Sequence, residues 1–157
     1  MPRFYFVGVC MDSSLDQASN NFSLFNLVEQ VQVPKLPIAL PAEVHIYAEF
    51  EEAERGRPHE LRITLEDEQG TIVWQSQAST IISAAARYRT VGQGLRLLRP
   101  GLCRVVAEIR PAGDVNQPWA RSPMAWPVQV VEGPTPTQPG DAPAPAAAPA
   151  LGTPNAG

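Results

Sequence analysis

The chain has 157 residues, a formal net charge of −4 and a pI near 5.1, so it has no electrostatic reason to seek polyphosphate, and nucleic acid is not expected as its main partner. No run approaches the roughly 18 apolar residues of a membrane span, and no small-residue cleavage site follows the short apolar run at the N-terminus. Membrane insertion and secretory export are therefore not expected, and the expected location is the cytoplasm.

Residues 1–132 read as one all-β domain, long enough to bury around two thirds of its unfolded surface without staples. The first strand, residues 3–11, is apolar on both phases: Phe4, Phe6 and Gly8 against Tyr5, Val7 and Val9. That pattern belongs to a strand in the middle of a packed sheet. A polar loop follows from Asp12 to Asn21. Residues 22–33 predict a second strand with a change of phase, which a β-bulge near Leu24 would reconcile; a helix over 24–31 is the alternative, opposed by the β-branched Val28, Val31 and Val33. Pro34, Pro37 and Pro41 end this element.

Residues 43–50 alternate strictly, with Val44, Ile46, Ala48 and Phe50 facing a core and Glu43, His45, Tyr47 and Glu49 facing out. After the acidic link at Glu51, Glu52 and Glu54, a strand containing Leu61, Ile63 and Leu65 turns at Asp67-Glu68-Gln69-Gly70 and returns through residues 71–74, a hairpin with glycine at the position that favours positive φ. Residues 75–86 stay open between strand and helical turn. A short strand over 88–91 is expected to end at Gly92-Gln93-Gly94. Pro100-Gly101 leads into a strand over 102–110 with Cys103, Val105, Ala107 and Ile109 inward, the usual entry to a late strand of an immunoglobulin-like sandwich. The last strand carries Met124, Trp126, Val128 and Val130 on one phase, with Pro127 at an edge or bulge. From Gly133 to residue 157 the composition shifts to Pro, Ala, Gly and Thr, a tail expected to be disordered, inert or read by a proline-binding domain.

The run Val9-Cys10-Met11-Asp12, then Phe22-Ser23-Leu24-Phe25-Asn26-Leu27, Pro34, the Glu66-Asp67-Glu68-Gln69-Gly70 hairpin and Pro100-Gly101 resembles an uncharacterised bacterial family of small proteins, a domain of unknown function. Its members open with an apolar strand ending in Cys-Asp and follow it with a strand containing Ser-Leu. Here Met11 separates Cys10 from Asp12, and an asparagine stands in the second strand where a glycine is common. The resemblance spans about residues 4–130 and implies a β-sandwich with no established activity, so no catalytic residue follows from it.

Motifs for chemistry are sparse. Cys10 and Cys103 read as buried free thiols, with a disulfide between a first and a late strand as the alternative. His45 and His59 have no second His or Cys nearby in sequence and read as surface residues, so no metal site is expected. Gly92-Gln93-Gly94 lacks the strand–turn–helix setting of a dinucleotide fingerprint and reads as a loop. Glu49, Glu51, Glu52 and Glu54, with Asp67 and Glu68, read as solvated charges rather than an acid–base pair or a calcium site. Asn21-Phe22-Ser23 matches a glycosylation acceptor but carries no meaning without a signal sequence.

Arg87, Arg89, Arg96, Arg99 and Arg104 form an acid-free stretch, whereas residues 43–68 are rich in acids. These charges either pair internally across strands or orient a protein partner. The sequence therefore predicts no catalytic, cofactor-binding or metal residues and no enzyme. The expected role is a cytoplasmic β-sandwich that binds an unidentified protein, with Trp74, Trp119 and Trp126 as stacking surfaces for a carbohydrate or small ligand as the second reading. Oligomeric state is not legible.

Overall fold

The computed structural model describes residues 2–16, 18, 19 and 21–134, except the side chain of Gln93. The predicted tail beyond residue 134 lies outside the described residues. The chain forms β1 (Arg3–Asp16), β2 (Asn21–Leu27), β3 (Gln30–Val33), β4 (Ile38–Glu49), a 3₁₀ turn (Glu52–Glu54), β5 (Pro58–Glu66), β6 (Ile72–Gln75), β7 (Ser79–Ile82), β8 (Arg87–Leu97), β9 (Gly101–Pro111), β10 (Ala120–Arg121) and β11 (Trp126–Glu132). None of the described helices is long and apolar enough to cross a membrane.

The strands make two packed sheets. Sheet A has the order β2-β1-β4-β8, and sheet B has β3-β11-β9-β5-β6, with β10 beside β9 and β7 beside β5. All pairs are antiparallel except β3 with β11. The core between the sheets takes the inward phase of each strand: Val7 and Val9 from β1, Val44, Ile46 and Ala48 from β4, Leu61, Ile63 and Leu65 from β5, and Cys103, Val105, Ala107 and Ile109 from β9. Each such Val, Leu or Ile contributes about 1.5–3 kcal/mol when fully removed from water. Cys10 and Cys103 are both buried and free.

Several expectations need correction. Residues 22–33 are neither one strand nor a helix but two strands in different sheets, because the chain leaves β2 at Val28 and crosses to pair β3 with β11. The β1–β2 register runs without a shift through Leu24, so no bulge sits there; the irregularity is Asn26, at φ 53. Asparagine tolerates this left-handed conformation better than most residues.

β1 continues to Asp16, through much of the expected loop, since Asp12 to Asp16 pair with β2. β8 does not stop at Gly92. It runs to Leu97 because Gly92 lets the strand approach sheet B, where an added Cβ would stand 2.3 Å from Ile63 Cδ1, while Gly94 takes φ +79. Residues 79–82, left open by the sequence, are strand β7.

Candidate functional site

The outward face of sheet A gathers residues that are distant in sequence. The antiparallel β1–β4 register sets Cys10 opposite Glu43 and Gly8 opposite His45. Gly8 offers no side chain, so the Phe6 ring folds over it, close enough that a Cβ there would lie 2.3 Å from Phe6 Cζ. From the other side Phe22 on β2 brings its ring centroid to 4.8 Å from that of His45. Between these rings His45 is only 2% exposed. Its position on the outward phase is as the alternation predicted; its expected solvent exposure is corrected, because the β1–β2 arm covers it.

Glu43 sits in the middle of the cluster. The His45 Nε2–H donates to Glu43 Oε2 at 3.0 Å, and Cys10 Sγ lies 4.0 Å from the same oxygen. A carboxylate acceptor selects the tautomer with its proton on Nε2, which leaves Nδ1 buried with no hydrogen-bond partner among the described residues. The Ser13 hydroxyl, and next the His45 ring, hold the Glu43 carboxyl below the usual carboxylate range. Burial and then the Glu43 charge push the Cys10 thiol up, against the opposing N–H groups of Asp12 and Phe25. A protonated thiol is a poor nucleophile. The carboxylate, not the imidazole, stands between the other two groups, which is the wrong order for a thiol–imidazole–carboxylate relay. Cys10, Glu43 and His45 do hold three ligand-type atoms within 4.8 Å of one another.

Beside this cluster is an open groove of about 690 Å³ lined by Leu15, Phe22, Tyr47, Arg87, Arg89, Thr90 and Val91. The Arg89 guanidinium lies 4.8 Å from the Phe22 ring centroid and 6.0 Å from that of Tyr47. Arg87 and Arg89 are exposed, and neither makes an ion pair with a described residue. They share the outward phase of β8, which is the last strand of its sheet.

The outward face of sheet B is mostly ion-paired instead, although Glu66 Oε1 is buried with no hydrogen-bond partner among the described residues. Glu60 pairs with Arg110 at 2.7 Å and Arg62 with Glu108 at 2.6 Å, Glu108 also accepts from the Thr64 hydroxyl at 3.0 Å, and Arg121 reaches Glu66. Trp119 lies under both Arg62 (4.0 Å) and Arg110 (4.4 Å).

Other residues singled out from sequence fall in structural roles. His59 is also buried, not on the surface: its Nδ1 bonds the Arg57 carbonyl at 3.0 Å and its ring packs 4.8 Å from Phe50. Glu49 accepts from the Tyr5 hydroxyl, Glu54 accepts from the Glu51 N–H at 3.2 Å, and Asp67 holds its own hairpin and Arg99. Between the acidic stretch and the arginine stretch, Arg99 pairs with Asp67, while Arg87 and Arg89 pair with no acid among the described residues. Trp74, Trp119 and Trp126 are each half-buried, and the Trp126 N–H is committed to the Val28 carbonyl at 2.7 Å.

The cluster around Glu43 was missed because its members come from two strands whose register no local pattern states. The available signal was phase: Cys10 shares the phase of Gly8, opposite to the core-facing Val7 and Val9. No protein-family model matches the chain, and no curated protein matches it.

Proposed function

We propose that the protein is a non-catalytic, cytoplasmic interaction module of the immunoglobulin-like kind that captures an extended acidic segment of a partner protein along β8. The observation that carries this reading is the pair Arg87 and Arg89, exposed, two residues apart on an edge strand and without an ion-pair partner among the described residues. An added β-strand satisfies the free backbone groups of such an edge, and its alternate side chains fall at the same two-residue spacing as the arginines. Carboxylates at alternate positions then meet the guanidiniums in the geometry that arginine recognises best. The same charges oppose pairing of β8 with a second copy of itself.

The division of strands between the sheets and the late strand entered at Gly101 support the immunoglobulin-like reading, and two buried free thiols support a reducing compartment. The resemblance to the uncharacterised bacterial family rests on the motifs quoted above and is part of the same proposal. The carbohydrate reading finds less support, since Trp119 is engaged by two arginines and Trp126 by a carbonyl.

Fluorescence anisotropy with a labelled peptide alternating Val and Glu tests the reading. Binding should weaken with salt, and the Arg87→Glu/Arg89→Glu double variant should lose at least about tenfold in affinity, some 1.4 kcal/mol. Equal binding of a Val-Lys peptide, or an unaffected double variant, would remove the proposal.

A further inference from the structure

We propose that Cys10, Glu43 and His45 form a site for a zinc-like divalent cation, with Sγ, a carboxylate oxygen and the imidazole Nε2 as ligands and a fourth position open to water or a ligand. This is independent of strand capture on β8.

Three observations support it. First, the donor set is a thiolate, an imidazole and a carboxylate, the mixture that zinc prefers. Second, the spacing is close to that of a loaded site. Tetrahedral bonds of about 2.0–2.3 Å put ligand atoms roughly 3.3–3.8 Å apart; here Nε2 and Oε2 are 3.0 Å apart, Sγ and Oε2 are 4.0 Å apart, and all three lie within 4.8 Å. Rotamer adjustments of about an ångström close the set. Third, the cluster is poorly satisfied as a purely structural feature. It buries a histidine whose Nδ1 has no partner among the described residues and a cysteine against a carboxylate, an arrangement that apolar residues would replace without loss.

Placement supports binding as well. Cys10 and His45 are held on neighbouring strands of the sheet, and their burial confines both side chains to small adjustments; the Glu43 side chain is 25% exposed and gives the cation its way in. Arrival of the cation displaces the thiol proton to solvent and moves the imidazole proton from Nε2 to Nδ1. A metal-bound histidine needs an acceptor for that Nδ1–H, and the cavity of about 180 Å³ that His45 borders with Phe22, Leu24 and Tyr47 has room for such a water.

The test uses the full chain, stripped with chelator and titrated with Co²⁺ and then Zn²⁺. The expected result is one Co²⁺ per chain with a thiolate-to-cobalt charge-transfer band and the intense visible bands of four-coordinate cobalt, both displaced by zinc. Cys10→Ser should abolish the charge-transfer band and Cys103→Ser should keep it. Because Cys10→Ser alters a buried residue, Glu43→Gln at the partly exposed position serves as a second variant, expected to weaken zinc binding by at least about tenfold. Absence of the charge-transfer band from folded wild-type protein, a band that follows Cys103 rather than Cys10, or unchanged zinc affinity in Glu43→Gln would each overturn the site.

Discussion

The outward faces of the two sheets arise from the same alternation of side chains, yet they reach opposite states. On sheet B, acids and arginines from β5 and β9 face each other in register, Glu60 against Arg110 and Arg62 against Glu108, and Trp119 and Arg121 tie the intervening segment across them. Most of these charges have a partner, the exception being Glu66 Oε1, buried with none among the described residues. On sheet A, the β1–β2 arm covers His45 but leaves its Nδ1 without a partner among the described residues, Cys10 faces a carboxylate, and Arg87 and Arg89 have no acid partner among the described residues. Burial without full pairing costs stability, and on sheet A it coincides with a cysteine, a histidine and a carboxylate held together. On the proposed reading, sheet B is the clamp and sheet A the working surface.

Removing one member of the clamp should give the largest effect. Glu108→Ala takes the shared acceptor from Arg62 and Thr64 in a nearly buried setting and should lower stability by about 3 kcal/mol in urea unfolding, whereas Arg62→Met with Glu108→Leu should recover most of that loss. A loss below about 1 kcal/mol for the single variant would mean that the clamp is a solvated decoration.

Gly8→Ala acts on the opposite face. The added methyl displaces the Phe6 ring and should reduce stability by about 1–2 kcal/mol, and His45 should become more accessible to diethyl pyrocarbonate than in the parent. Unchanged reactivity would show that Phe6 does not roof the histidine.

Arg89→Ala is expected to cost only about 0.5–1 kcal/mol, the worth of a cation over Phe22 at an exposed site, while abolishing most of the acidic-peptide binding. A large stability loss would place Arg89 in the framework rather than on the working surface.

The smallest effect concerns acid. The Thr71 N–H, and next Arg99, hold the Asp67 carboxyl below the usual carboxylate range. Its folded pKa lies below its unfolded one, so its contribution is present above about pH 4 and fades as pH falls through the depressed folded value. Asp67→Asn should therefore flatten the slope of unfolding midpoint against pH in that acid window and nowhere else.

Much of the frame was legible. The alternation in residues 43–50 and 102–110 placed both faces of β4 and β9, and the Asp67–Gly70 turn placed the β5–β6 hairpin, because these signals are local. The split of residues 22–33 was not, since a strand that leaves one sheet for another keeps the same composition in both. Nor was the length of β8: glycine reads as a breaker from sequence but serves here where Ile63 needs the space.

Sequence alone determined that the described chain is β, which residues alternate, and that Cys10 and His45 sit on strands, because side-chain period and turn chemistry act over a few residues. Only the tertiary structure decided that Cys10 meets Glu43, that His45 is buried, and that Arg87 and Arg89 find no acid among the described residues. Those outcomes depend on the register between strands some 35 residues apart and on the β1–β2 arm lying beside β4, and neither has a local energy that a sequence pattern can express.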